Sequence, residues 1–317
     1  MSNGRRSTRN YNCYQGAVLL WLNIVLDLIE TNSCFVLQFG HIFSNLIDSG
    51  PRLMARYAIG DIQGCYTQLM QLLNAIDFNS GNDTIYLVGD LVNRGQESLQ
   101  VLQWVYDHQD SVLTVLGNHD IYLLARYYNI LEADADETIQ DILNYPDNEK
   151  LIMYLRHCPV VRKLDDYLIT HAGIYPKIPL QKTLELNDNI QEMLLSDNYL
   201  AFIKNIYGNK PDSWSEELTL LQQMKFIINA STRMRYLDVD NFSLQYKYKG
   251  EILGKPANLI PWFKTEFDSS IDKKILFGHW AALGFYHNNK IVSLDTGCVW
   301  GRVLTAFNLD TYEITQI

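Results

Sequence analysis

Between residues 54 and 128 the chain repeats one pattern three times: a short apolar run, a turn rich in Gly, Asp and Asn, then apolar residues at three- and four-residue spacing. The runs 56–59, 84–88 and 112–116 predict strands, and the stretches 65–76, 97–107 and 121–128 predict helices. That order makes a βαβαβ unit of an open α/β sheet. Runs 167–169 and 274–277 predict two more strands. Between them, residues 180–207 and 215–229 have helical spacing and predict an insertion around 180–260. Near the end, 290–294 and 303–317 alternate like strands and predict a hairpin in a second sheet. The acidic stretch 132–141 predicts a solvated helical face.

The turns that leave these strands carry the chemistry. The five blocks are Gly60-Asp61-Ile62-Gln63-Gly64, Gly89-Asp90-Leu91-Val92-Asn93-Arg94-Gly95, Gly117-Asn118-His119-Asp120, Thr170-His171-Ala172-Gly173 and Gly278-His279. Ligands bind at the carboxyl ends of strands in an open α/β sheet, so five such ends carrying Asp, Asn and His predict one shared site. Two divalent ions roughly 3.5–4 Å apart can clamp a phosphoryl group and acidify a water held between them. One carboxylate must bridge the pair, and Asp90 is the candidate. A mixed His, Asp and Asn set suits Mn²⁺, Co²⁺, Fe or Zn better than Ca²⁺.

The five blocks in this order resemble the calcineurin-like metallophosphoesterases of the phosphoprotein phosphatase type. Within that type, the segments GDIQGCY, GDLVNRG, 231–236 (STRMRY) and 293–301 (SLDTGCVWG) resemble the symmetrical bis(5′-nucleosyl)-tetraphosphatases, from about Met54 to the C-terminus. The resemblance implies an α/β fold of two mixed β-sheets packed as a sandwich and flanked by helices. It also implies two divalent metal ions, Mn or Co, and a dinucleoside polyphosphate substrate, diadenosine tetraphosphate, cut at its centre to two ADP. Carried over block by block, Asp61, Gln63 and Asp90 fall on one metal, and Asp90, Asn118, His171 and His279 on the other. His119 falls where the family has its general acid. Arg94 and Arg233 fall where it holds phosphate oxygens, with Arg235 a weaker candidate. Two positions depart from the phosphoprotein phosphatase pattern. Gln63 replaces a metal-binding His, and Asn93 replaces the Asp that orients the general acid, which predicts that His119 lacks that partner and is oriented by Asp120 or by backbone.

Composition narrows the partners. With 26 Lys and Arg against 36 Asp and Glu, a formal net charge of −10 disfavours a protein that coats nucleic acid. Nucleoside-tetraphosphate caps of RNA remain a related substrate, because the RNA tail would lie outside the site. The cysteines Cys13, Cys34, Cys65, Cys158 and Cys298 are scattered, which predicts no disulfide framework and a reducing, cytoplasmic setting. In residues 1–53, Arg5, Arg6 and Arg9 precede an apolar run at 17–29 that Asn23 and Asp27 interrupt. It is too short to span a bilayer, so no membrane anchor is predicted. Met54 then opens directly into the first strand, so residues 1–53 are read as an extension without catalytic role, and 54–317 as the dimetal domain. His41, His108, His157 and His287 are read as structural or surface residues, and Trp280 and Trp300 as core packing ahead of base stacking. Two alternatives stand beside the tetraphosphatase reading. One is a protein serine/threonine phosphatase with the same core, which Gln63 and Asn93 oppose. The other is a scaffold without catalysis, which the retained ligands oppose.

Overall fold

The computed structural model describes residues 54–317, which form one compact unit, Met54–Ile317. The reading of residues 1–53 as an extension, with His41, Cys13 and Cys34, lies outside the described residues.

Thirteen short strands build three sheets among the described residues. The first has the order β13 (Ile314–Gln316), β12 (Thr305–Asn308), β1 (Arg56–Ile59), β2 (Thr84–Leu87), β3 (Val112–Thr114). The second has the order β10 (Tyr286–His287), β11 (Ile291–Ser293), β9 (Lys274–Phe277), β5 (Tyr167–Thr170), β4 (Val161–Lys163). Both are mixed: β1, β2 and β3 run parallel, as do β11, β9 and β5, and the flanking strands are antiparallel. A small antiparallel sheet of β7 (Leu244–Gln245), β6 (Tyr236–Asp238) and β8 (Leu259–Pro261) lies within the 180–260 region.

The two-residue period of the strands explains the sandwich. Side chains of β1 and β2 alternate between two cores, as do those of β5 and β9. Ala58, Tyr86, Tyr167, Ile169, Leu276, Val292 and Phe307, drawn from both large sheets, form one buried cluster between them. Their neighbours Ile59, Ile85, Leu87, Leu168, Ile275 and Phe277 turn the other way and join the larger cluster that includes the helices. Strands buried on both faces read as unbroken apolar runs, which is how they read in the sequence. Tyr167 ties the layers by donating its hydroxyl to the Leu309 carbonyl at 2.9 Å. The expected two-sheet sandwich is therefore present. Among the described residues, no helix is long and apolar enough to cross a membrane.

Three local expectations are corrected. The third helix, Asn118–Tyr127, begins three residues early, because Gly117 is its N-cap and Asp120 at the third position accepts the Gly117 N–H (2.8 Å). Asn118 and His119 thus stand on a helical first turn rather than a loop. The C-terminal strands do not form one hairpin in a second sheet. β11 pairs with β9 in the second sheet, whereas β12 and β13 pair with each other and close onto β1 in the first. The acidic stretch 132–141 is not a helical face, and helix begins only at Gln140. Its Glu137 is held by Arg126 Nε (2.8 Å) and the Tyr122 hydroxyl (2.6 Å).

Candidate active site

The carboxyl ends of β1, β2, β3, β5 and β9 meet, and they bring together the residues picked out by the five blocks. Close approach explains the glycines among them. A Cβ on Gly117 would collide with Asp90 Oδ1, and one on Gly278 with Asp61 Oδ1. The backbone itself is strained here: Gln63, Asp90, Asn93, Arg94 and His279 all have φ between 44° and 75°, in the left-handed region. Such conformations in non-glycine residues persist where surrounding bonds hold them. Asp120 supplies three of those bonds. Its buried carboxylate accepts the N–H groups of Asp90 (2.8 Å), Leu91 (3.0 Å) and Gly117 (2.8 Å), pinning the turn after β2 to the start of the helix after β3.

At the centre, lone pairs converge. His171 Nδ1 faces the Val88 carbonyl at 2.9 Å and must donate to it, so in the neutral ring Nε2 is the acceptor. That nitrogen lies 3.3 Å from Asp90 Oδ2, 3.2 Å from His279 Nδ1 and 3.3 Å from Asn118 Oδ1. Four atoms whose lone pairs face one another, none donating to another, is the arrangement a cation stabilises, and Asp90, His171 and His279 satisfy the spacing of a metal-binding group. Turned the other way, the Asn118 amide nitrogen donates to His279 Nδ1, His171 Nε2 and the Thr232 carbonyl, so the cation-holding orientation is the one with oxygen inward. Electrostatics agree. Burial raises the Asp90 carboxyl, but the neighbouring His171 and His119 outweigh it and hold it below the usual range. Burial lowers His171, but Asp90 and Asp61 outweigh that and carry it up to about 9. A cation would take the place of that proton.

Asp61 lies beside this cluster with both oxygens 3.1 Å from the His279 N–H. Gln63 is at the site too, but its Nε2 donates to Asp90 Oδ2 at 3.0 Å, so the amide faces Asp90 with its nitrogen. All the predicted residues except the buried Asp61 and His171 line one cavity of about 690 Å³. Arg94 reaches it from an exposed position. Arg233 is fixed on its wall by Asn229 Oδ1 (2.9 Å) and Asn209 Oδ1 (2.8 Å), with its guanidinium 4.5 Å over the Tyr246 ring. Arg235, half-buried like Arg233, donates to the His279 carbonyl at 2.6 Å, which makes it a brace for that loop.

His119 lacks the Asp of the family pattern, but its ring is oriented by neither Asp120 nor backbone; Asn93 itself faces it. Asn93 Oδ1 accepts the N–H of Arg94 (2.9 Å) and of Thr138 (3.0 Å), which forces its Nδ2 toward His119 Nδ1 at 3.0 Å. An amide N–H can only donate, so Nδ1 accepts and the ring proton of the neutral imidazole sits on Nε2. Nε2 faces the site, 3.9 Å from Asp90 Oδ2. Burial lowers the His119 pKa, which keeps the ring neutral. The sequence carried this in plain sight as Asn93, but read as a replacement it looked like a loss.

One residue went unassigned. Asp295 ends a sixth strand, β11, lines the same cavity and is buried near Asp61 and Asp90. Burial pushes its carboxyl up to about 6, opposed by the Gly297 N–H at 3.0 Å. The signal was present, since the segment 293–301 comes directly after an apolar run as the five blocks do.

The bracing role of Asp120 gives a first expected result. Asp120→Asn keeps the shape but turns one acceptor into a donor facing a buried N–H, at a cost of roughly 1–3 kcal/mol. Tm by differential scanning calorimetry should fall by about 2–8 °C. An unchanged Tm would show that the three bonds do not brace the turn.

A family model described as calcineurin-like phosphoesterase matches residues 54–283. The symmetrical bis(5′-nucleosyl)-tetraphosphatase of Chromobacterium violaceum is 44% identical over 264 residues, covering 83% of this chain and 95% of that one. The protein of the same name from Neisseria meningitidis serogroup A matches equally, at 44% over 264 residues with 83% and 95% covered. Among solved structures, that of a candidate diadenosine tetraphosphatase superposes with a TM-score of 0.56 at 21% identity, covering 84% of this chain and 94% of that one, which supports the fold. On the matched family model and the identity to these relatives, the chain belongs to the calcineurin-like phosphoesterases, within the family of the symmetrical bis(5′-nucleosyl)-tetraphosphatases.

Proposed function

We propose that the unit Met54–Ile317 hydrolyses diadenosine tetraphosphate at its central anhydride to two ADP, using two divalent cations, Mn²⁺ or Co²⁺, in a cytoplasmic setting. The observation that carries this reading is the ring of convergent lone pairs at Asp90, His171, His279 and Asn118, in a chain 44% identical to proteins named for that reaction. Asp61, Gln63 and Asp90 would hold one cation, and Asp90, Asn118, His171 and His279 the other. Gln63 would have to turn its oxygen inward to do so. Bound there, the cations would supply an acidified water and neutralise phosphate charge. Mn²⁺ and Co²⁺ suit this mixed N and O set. The free Cys65, Cys158 and Cys298 fit a reducing compartment.

The protein's own groups do the rest. Arg94 and Arg233 bind phosphate oxygens in the cavity, where planar guanidinium groups gain most from charge-assisted bonds. His119, its Nε2–H directed at the site by Asn93, would donate as the imidazolium to the departing phosphate oxygen, taking up a second proton at Nδ1 as the Asn93 amide turns its oxygen to accept it. With a formal net charge of −10 on the chain, attraction for a polyanion would come locally, from these arginines and the cations. The relatives' names do not favour the protein phosphatase alternative.

The test is product analysis. Protein loaded with Mn²⁺ or Co²⁺ is offered diadenosine tetraphosphate, a phosphopeptide and p-nitrophenyl phosphate, with an RNA bearing a nucleoside-tetraphosphate cap as a further substrate. ADP as the sole nucleotide product is expected. AMP with ATP would show asymmetric cleavage, and no turnover of any substrate would point to a scaffold; either overturns the reading.

A further inference from the structure

The symmetrical cut needs more than a dimetal centre, because the metal site acts on any phosphate ester and the base must be recognised elsewhere in the cavity. We propose that the Trp300 indole is the purine platform, stacking on one adenine of the substrate; this rests on the nucleotide-hydrolase reading above. Trp280 and Trp300 stand beside two site segments, and the structure separates them. Trp280 is 1% exposed, donates its Nε1 to the Gly250 carbonyl at 3.1 Å and packs edge-on to Tyr236, so it is core. Trp300 is 62% exposed and lines the cavity. Its ring makes no hydrogen bond or aromatic contact among the described residues.

A large apolar ring left in water at the mouth of a polar cavity is informative, since the neighbouring Val299 and Cys298 both pack inward. The backbone beneath the ring is fixed. Trp300 ends a short 3-10 turn, Cys298–Trp300, set between Gly297 (φ 77°) and Gly301 (φ 76°). The turn is tied down by Trp300 N–H to the Gly297 carbonyl (2.9 Å), Gly297 N–H to Asp295 (3.0 Å) and the Thr296 hydroxyl to the Val303 carbonyl (2.7 Å). An aromatic side chain with few rotatable bonds on a fixed backbone stacks on a base with little loss of freedom. Beside it, Arg302 also lines the cavity and is anchored through one guanidinium nitrogen to the Ala281 carbonyl (2.9 Å), leaving its other donors for the phosphate next to the stacked nucleoside. The ligand chemistry is thus a purine joined to a phosphate chain.

Calorimetric titration of ADP and of pyrophosphate onto Mn²⁺-loaded protein tests this without requiring turnover. Trp300→Ala should weaken ADP binding about 10-fold, with pyrophosphate affinity moving much less, and Trp300→Phe should recover most of the ADP affinity. An equal loss for both ligands would mean that the substitution only disturbs the turn. Unchanged ADP binding, or none to the wild type, would show that Trp300 is not a base platform. The KM for diadenosine tetraphosphate is measured in parallel. If the wild type fails to cut that substrate, the functional reading falls while the ADP to pyrophosphate ratio still decides the role of Trp300.

Discussion

Asp90→Asn is expected to lower turnover by on the order of 10³-fold or more, while the fold survives. Asp90 is the residue on which the site's elements meet. Its Oδ1 accepts the His119 N–H at 2.8 Å, and its Oδ2 faces Gln63 Nε2 at 3.0 Å and His171 Nε2 at 3.3 Å. The substitution can keep Oδ1 and its bond to the helix. It places an NH₂ where Oδ2 was, so one donor faces the Gln63 amide and the charge that two cations would share is gone. Losing about 4 kcal/mol of transition-state stabilisation corresponds to roughly 10³ in rate, a modest share of what a dimetal centre supplies. Metal content by mass spectrometry, activity and thermal melting are measured on the same preparation. Metal and rate both at wild-type level would remove Asp90 from the centre. Loss of the melting transition would instead mean a structural lesion, and Asp90→Glu, which keeps the charge but shifts it, would then separate the two effects.

The strands that frame the site were legible because each is a largely apolar run, four of the five followed directly by glycine, and both features arise from burial on two faces and close approach at the turn. Asp61, Asp90, Asn118, His171 and His279 could be gathered in the sequence for the same reason. Their convergence depends on strand order, and strand order is set by long-range pairing that no local pattern carries. The C-terminal strands show the limit. Alternation found β11, β12 and β13, but nothing local says that β12 crosses to lie beside β1, with Ala306 opposite Ile59. Asp295 was missed in consequence, because its strand was not counted among those ending at the site. Asn93 was misjudged for a different reason. A neutral amide cannot charge-pair with a histidine, but fixed by two backbone donors it settles the tautomer, and those donors include Thr138, 45 residues away. Trp300, read from the sequence as core packing, is instead exposed, because exposure of a tryptophan depends on whether its turn faces inward, and no local pattern says so.

His119→Asn is expected to slow cleavage of diadenosine tetraphosphate by roughly 10²–10⁴ while metal content stays at the wild-type level, the span for losing a positioned proton donor. The geometry predicts this separation. His119 stands outside the ring of lone pairs formed by His171, His279, Asn118 and Asp90, and its Nε2 is 3.9 Å from Asp90 Oδ2, across from the cluster. The bond that ties this position to the centre runs from its backbone N–H, so the substitution leaves it in place. An asparagine there cannot carry the imidazole proton to a leaving phosphate oxygen, and the size of the defect should track how much that oxygen needs one. A p-nitrophenolate leaving group needs little protonation, so the same variant should lose much less on p-nitrophenyl phosphate. Asn93→Ala offers the complementary measurement: it keeps the imidazole but frees its tautomer and ring orientation, so its defect should lie in kcat, should be smaller than that of His119→Asn, and should likewise shrink with the better leaving group. Loss of metal along with activity in His119→Asn would make the residue a ligand. An equal defect on both substrates would deny it the proton.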